Sequence, residues 1–385
     1  MRKTLLLIAA CCLQGMTIAQ EPVYRQASAP IEERVSDLLG RMTLEEKIGQ
    51  ICCPLGWEMY TKVSPDSVTI SDKYRQQMDE APIGSYWAVL RADLWTQKTL
   101  ETGLNPRLAA KALNALQKYA VEHTRLGIPV LFAEECPHGH MAIGATVFPT
   151  SMGQASTWNE SLIRQMGEVI GLEARLQGAN IGYGPVLDIA REPRWSRVEE
   201  TFGEDPYLIS EMGIGFVRGF QKNGVGCMPK HFVAHGTPTG GLNSAFVAGG
   251  ERELRNLYMY PFARVIKEAD PVAVMSCYSA YDGIPVTGSS YFMTDILRGE
   301  LGFKGFAYSD WGSVDRLKTF HMAAPSTEAA AKMALTAGID IDVWDAAYET
   351  LQGQVEKGQL DVMYIDRAVS RILTAKFKMG MFADA

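Results

Sequence analysis
From about Ala120 onward, short β-branched or aromatic runs alternate with amphipathic stretches, and this alternation constrains the fold more than any other feature of the sequence. "IPVLFAEEC" precedes "WNESLIRQMGEVIGLEARLQG", which has helical periodicity and a start signal at Asn159. "IGYGPVLDIA" leads through a long loop to "DPYLISEMGIGFVRGFQ", where Asp205 can cap and Pro206 can open a helix. Further units follow at "VGCMPKHFVA", "PVAVMSCYSAY", "GFKGFAYSDWGS" and "IDIDVW", each succeeded by a helical pattern. Strands this uniformly apolar have no wet face, so they belong to a parallel sheet covered by helices. A count approaching eight such units predicts an α/β fold of the (β/α)8 TIM-like barrel kind rather than an open sheet. The segment from Gln20 to about Leu126 is less regular and is expected to hold the barrel's first units and an elaborated loop.

The 385 residues suffice for one large core, and the net charge of -7, with no basic run, disfavours nucleic acid as a partner. Residues 1–19 place Arg2 and Lys3 ahead of a short apolar run that ends at Ala19, which reads as a secretory signal peptide and predicts a periplasmic location. A lipoprotein reading with Cys11 as the modified residue is less favoured, because the apolar run before it is very short. Nothing later is apolar for long enough to span a bilayer. One domain, 20–385, follows the signal. The remaining cysteines, Cys52, Cys53, Cys136, Cys227 and Cys277, are odd in number and lie mostly within apolar runs, which predicts buried thiols rather than a disulfide framework.

In a parallel barrel, chemistry gathers at the carboxyl ends of the strands. The polar residues that end these apolar runs are Glu134 and Glu135 with His138, Asp188 with "REPRWSR", Lys230 with His231 and His235, Tyr278, and Asp310 with Trp311. Carboxylates and cations around one site can serve several sugar hydroxyls, while an indole covers the apolar face of the ring. A carboxylate among them can attack an anomeric carbon. Asp310 must be ionised for that role, which Lys230 and Arg197 would favour. Blander readings compete: Asp310 could cap the next helix, and "HFVAH" invites a zinc reading that a strand end does not support. Of Glu134 and Glu135, neighbours on a strand, only one can point inward. Trp57, Trp87 and Trp95 read as packing residues, and Asp340 and Asp342 share a face near a strand end.

Five segments, "AEECPHGH", "GATVFPTSMGQASTWN", "GPVLDIAREPRWSRVEETFGEDP", "PKHFVAHGTPTGGLN" and "GFAYSDWGS", together resemble the barrel domain of glycoside hydrolase family 3, the β-glucosidase and β-xylosidase family. The resemblance covers nearly all of the chain after the signal. It implies that Asp310 is the nucleophile and Trp311 the aromatic wall beside it. It implies that Lys230, His231, Arg197 and Glu135 bind hydroxyls of the cleaved sugar, with Tyr278 and Met275 as neighbours. It calls for no cofactor and no metal, and for a small oligosaccharide or glycoside as substrate.

Two departures matter. Glucosidase-type members usually carry Asp where this sequence has Glu135, and the longer carboxylate tilts the expectation toward a pentose or toward tolerance of both sugars. In two-domain members the acid/base Glu comes from an α/β sandwich domain after the barrel, and no residue here matches it. The loop after "KHF" also lacks the Asp-x-His element with which single-domain members manage. The sequence therefore reads as the barrel of a retaining exo-acting β-glycosidase without its partner domain. A catalytically impaired carbohydrate-binding barrel, or one half of a split enzyme, is the alternative.

Overall fold
The computed structural model describes residues 21–344 and 346–382. The expected signal peptide, with Cys11 and Cys12, lies outside the described residues. Eight short strands run β1 (Cys52–Cys53), β2 (Ser85–Trp87), β3 (Leu131–Glu135), β4 (Ile181–Val186), β5 (Gly226–Lys230), β6 (Ala273–Met275), β7 (Phe306–Tyr308) and β8 (Asp342–Val343). Parallel ladders join β2 through β5 in order, β6 to β7, and β8 back to β1. Single parallel bridges link the pieces: Leu55 to Trp87, Phe232 to Ser276 and Tyr308 to Ile341. The circuit of pairings therefore returns to its start, the arrangement of a (β/α)8 barrel. Its interior is filled by buried side chains such as Tyr183 and Tyr308, whose rings meet edge to face.

The first units lie in the irregular N-terminal region. A small antiparallel hairpin, Tyr60–Ser64 with Ser67–Ile70, interrupts the passage from β1 to β2. Local chemistry sets the helix starts. Asn105, Asn159 and Asp205 each accept a hydrogen bond from a backbone N–H in the first turn of the helix that follows. Helices α1 (Glu160–Gln177) and α2 (Pro206–Gln221) press together with almost no side chain between them. A methyl group on Gly219 would stand 2.0 Å from the carbonyl oxygen of Arg164, and one on Gly171 would stand 2.3 Å from that of Phe220.

Asp340, at the entry to β8, does not approach the barrel mouth. Its carboxylate is buried and accepts from Arg298 at 2.6 Å, from Arg371 at 2.8 Å and from the backbone of Ala307 at 2.8 Å. Asp342 accepts from the backbone of Tyr348 at 3.1 Å, again as a structural partner. Among the described residues, no helix is long and apolar enough to cross a membrane.

Candidate active site
The carboxyl ends of the strands enclose a cavity of about 300 Å³, lined by Glu135, Arg197, Lys230, Met275, Tyr278, Asp310 and Trp311 together with Trp87, Arg91, Trp95, Tyr183 and Val343. Alternation along β3 sorts its two terminal carboxyls. Glu135 faces the cavity, where its Oε2 accepts from Lys230 Nζ at 2.9 Å. Glu134 faces away, is buried, and accepts from the backbone N–H of Leu90 at 2.8 Å, so it braces the loop that leaves β2. Burial pushes the Glu134 carboxyl up to about 8, against the pull of that hydrogen bond.

Asp310 follows β7 and is 6% exposed. The next helix, Ser313–Thr319, is capped by Gly312 at φ 68°, with no side-chain cap, so the carboxylate is not spent on helix capping. Oδ1 accepts from the backbone N–H of Trp311 at 2.7 Å, and Oδ2 stands 3.6 Å from His231 Nε2. Burial raises the Asp310 carboxyl above its ordinary range; Arg197, Lys230, the Trp311 N–H and the Tyr278 hydroxyl pull it back toward the ionised form. The cations expected to favour ionisation are thus in place, but they do not fully offset the loss of water.

Arg197 comes from the long loop after β4. Its Nε and Nη2 donate to Glu200 at 2.7 and 2.8 Å, and Nη2 also donates to His231 Nε2 at 3.0 Å. Burial alone would lower the guanidinium, yet Glu200, Asp310 and Asp188 raise it. An arginine has no acceptor to offer, so His231 Nε2 carries its lone pair and the ring proton sits on Nδ1, which donates to Asp188 Oδ2 at 2.6 Å. Burial pushes Asp188 up to about 8 and His231 well below its usual value.

His231 is fully buried and does not line the cavity. It sits behind Arg197 and Asp310 as a neutral spacer. Its expected role as a hydroxyl ligand therefore differs from its position in the structure. His235 is equally buried, with Nδ1 3.0 Å from the Ser279 hydroxyl.

Five wall residues were not singled out by the sequence as part of a site: Trp87, Arg91, Trp95, Tyr183 and Val343. Trp87 and Trp95, read as packing residues, contribute aromatic wall. Tyr183 stacks on Trp87 at 6.3 Å, and Trp95 meets Trp311 edge to face at 6.3 Å. Arg91 places its guanidinium 4.8 Å from the Trp95 ring. The available signal was position, since Trp87 ends the β-like run "IGSYW" and Arg91 and Trp95 follow it.

An eight-stranded parallel barrel carrying a polar, aromatic-walled pocket at the carboxyl ends of its strands has the build of a barrel enzyme's active-site face. The family model described as "Glycosyl hydrolase family 3 N terminal domain" matches residues 43–375, and the chain belongs to that family. A putative β-xylosidase of Formosa agariphila is 35% identical over 95% of this chain and 48% of its own length. A periplasmic β-glucosidase of Salmonella typhimurium is 33% identical over 91% of this chain and 42% of its own. Among solved structures, the β-glucosidase EmGH1 of Erythrobacter marinus superposes with a TM-score of 0.84 at 34% identity, covering 94% of this chain and 47% of that one. The β-glucosidase of Listeria innocua in complex with isofagomine gives 0.78 at 31% identity, covering 91% and 46%. The chain spans about half the length of the curated relatives it matches.

Proposed function
We propose that the pocket is the sugar-binding half of a retaining β-glycosidase that releases terminal glucose or xylose, with Asp310 as the nucleophile that takes up the glycosyl group. The observation that carries this reading is the buried Asp310 carboxylate, uncommitted to any helix cap, facing a cavity shared with Lys230, Glu135 and Arg197. Attack of Asp310 Oδ on C1 breaks the bond to the leaving oxygen, forms the ester and inverts the carbon. Water then inverts it again and frees Asp310. The family's β-glucosidases and β-xylosidases support the substrate class.

Retaining chemistry with two carboxyls needs the second about 5 to 5.5 Å from the first, to protonate the leaving group. Among the described residues the other carboxyl on the wall is Glu135, and it is tied to Lys230. The acid/base is therefore proposed to lie outside the described wall, on an α/β sandwich domain of the kind the family uses. Slow turnover of ordinary glycosides is expected from this barrel alone. The same observation favours a second reading, a binding barrel with impaired catalysis. The expected signal peptide and a periplasmic β-glucosidase among the relatives support a periplasmic location for either version.

Activated dinitrophenyl 2-deoxy-2-fluoro xyloside and glucoside, whose leaving group needs little acid help, separate the two. Mass spectrometry is expected to find the label on the peptide containing Asp310, faster with the xyloside, and none in Asp310→Ala. Xylose or glucose binding without any label on Asp310 would establish the binding barrel instead.

A further inference from the structure
We infer that Arg91 is a specificity-determining residue, which holds one sugar hydroxyl jointly with Glu135; the inference rests on reading the cavity as a monosaccharide site. Glu135 has two carboxylate oxygens with different fates. Oε2 is taken by Lys230 at 2.9 Å, whereas Oε1 stands 3.9 Å from Arg91 Nη1, beyond hydrogen-bond reach. A hydroxyl oxygen about 2.8 Å from both atoms fits that gap, accepting from the guanidinium and donating to the carboxylate. A hydroxyl can do both at once, whereas a methyl, a ring carbon or a second carboxylate cannot.

The arginine is built into position. Its Nε donates to Asp93 Oδ2 at 2.7 Å, which fixes the plane of the guanidinium. Its flat face lies 4.8 Å from the Trp95 ring and 5.7 Å from the Trp87 ring. The backbone around it is pinned on both sides: Leu90 N–H donates to Glu134 Oε1 at 2.8 Å, and Ala92 N–H donates to Met141 O at 2.9 Å within an antiparallel bridge from Arg91 to Ala142. Among the described residues, no protein hydrogen bond occupies Nη1 or Nη2. A donor pair held this firmly and left open toward a cavity is arranged for a ligand.

Charge decides which ligand. Arg91 is balanced by Asp93 and Glu135, Lys230 by Glu135, and Arg197 by Glu200, while Asp310 adds a further carboxylate. Among the described residues that line the cavity, each cation has a carboxylate partner, so the site suits a neutral hydroxyl.

Isothermal titration of the full chain with D-xylose and its monodeoxy analogues tests this, with Arg91→Met and Arg91→Lys as variants. Wild type is expected to reject one deoxy sugar by about 10- to 100-fold, the loss of a hydrogen bond to charged groups. Arg91→Met should bind xylose weakly and no longer penalise that analogue, whereas Arg91→Lys should recover part of the discrimination. Circular dichroism and melting temperature confirm that the variants fold. Wild-type discrimination that persists unchanged in a folded Arg91→Met overturns the inference and leaves the glycosidase reading intact. Wild type that binds no sugar overturns both.

Discussion
At the scale of single residues, the site is assembled from groups held in states they would not adopt in water. Asp310 is the clearest case, because its burial cost exceeds the help of its cations. Asp310→Asn is therefore expected to stabilise the fold by about 0.5–2 kcal/mol while removing nucleophilic labelling, a trade of stability against function. The sign follows from linkage. The folded-state carboxyl titrates above the unfolded value of 3.8, so the native protein keeps its proton to higher pH. The penalty of the ionised site is complete above the folded pKa and absent below the unfolded one. The advantage of Asp310→Asn in urea titrations should thus be full near neutrality and vanish in acid; an advantage independent of pH would sink this account. Residue scale is also where sequence reasoning succeeded unevenly. Glu135, Lys230, Tyr278 and Asp310 end apolar runs, Arg197 sits in the charged loop that follows one, and the structure gathers them around one cavity. His231 ends such a run too, yet stands behind the wall, because it lies just past the end of β5, where Asp188 and Arg197 hold its two ring nitrogens, and no sequence pattern announces those partners.

At the scale of elements, the staple at the foot of β8 deserves a test. Asp340 ties β7 through Ala307, the helix Tyr291–Glu300 through Arg298 and the last helix, Met363–Lys378, through Arg371. Asp340→Ala would leave two buried or half-buried arginines without their carboxylate, and is expected to cost about 3–5 kcal/mol in denaturant titrations. A loss below about 1 kcal/mol would mean that the network is slack. The sequence showed Asp340 and Asp342 on one face of a strand but not which end of the barrel that face served. The helices were more legible, since Asn159 and Asp205 announce their starts by the same chemistry that caps them. The winding of residues 291–300 as a π-helix was not legible, because its amphipathic pattern is equally that of an α-helix.

At the scale of the whole molecule, the repeated strand and helix pattern was enough to give the barrel, because parallel strands buried on both faces leave few other architectures. The first two units were harder to read: β1 is two residues long and a hairpin follows it, so no periodicity marks it. The interior carries no covalent ties among the described residues. Cys52, Cys53, Cys136, Cys227 and Cys277 are all buried, and burial pushes the Cys53 thiol up to about 12. Iodoacetamide should leave all five unmodified in the native protein and modify them after unfolding, with a melting temperature indifferent to dithiothreitol. Labelling of any one under native conditions would reveal an opening the packing does not predict. The two adjacent carboxyls on β3 carry a last consequence. Sliding that strand by one residue would aim Glu134 at the cavity and strand Glu135 under the preceding loop, spoiling the pocket wall and the loop's tether at one stroke. A misthreaded chain thus cannot pass as half-functional: the alignment of a single strand serves as a gauge for the entire mouth.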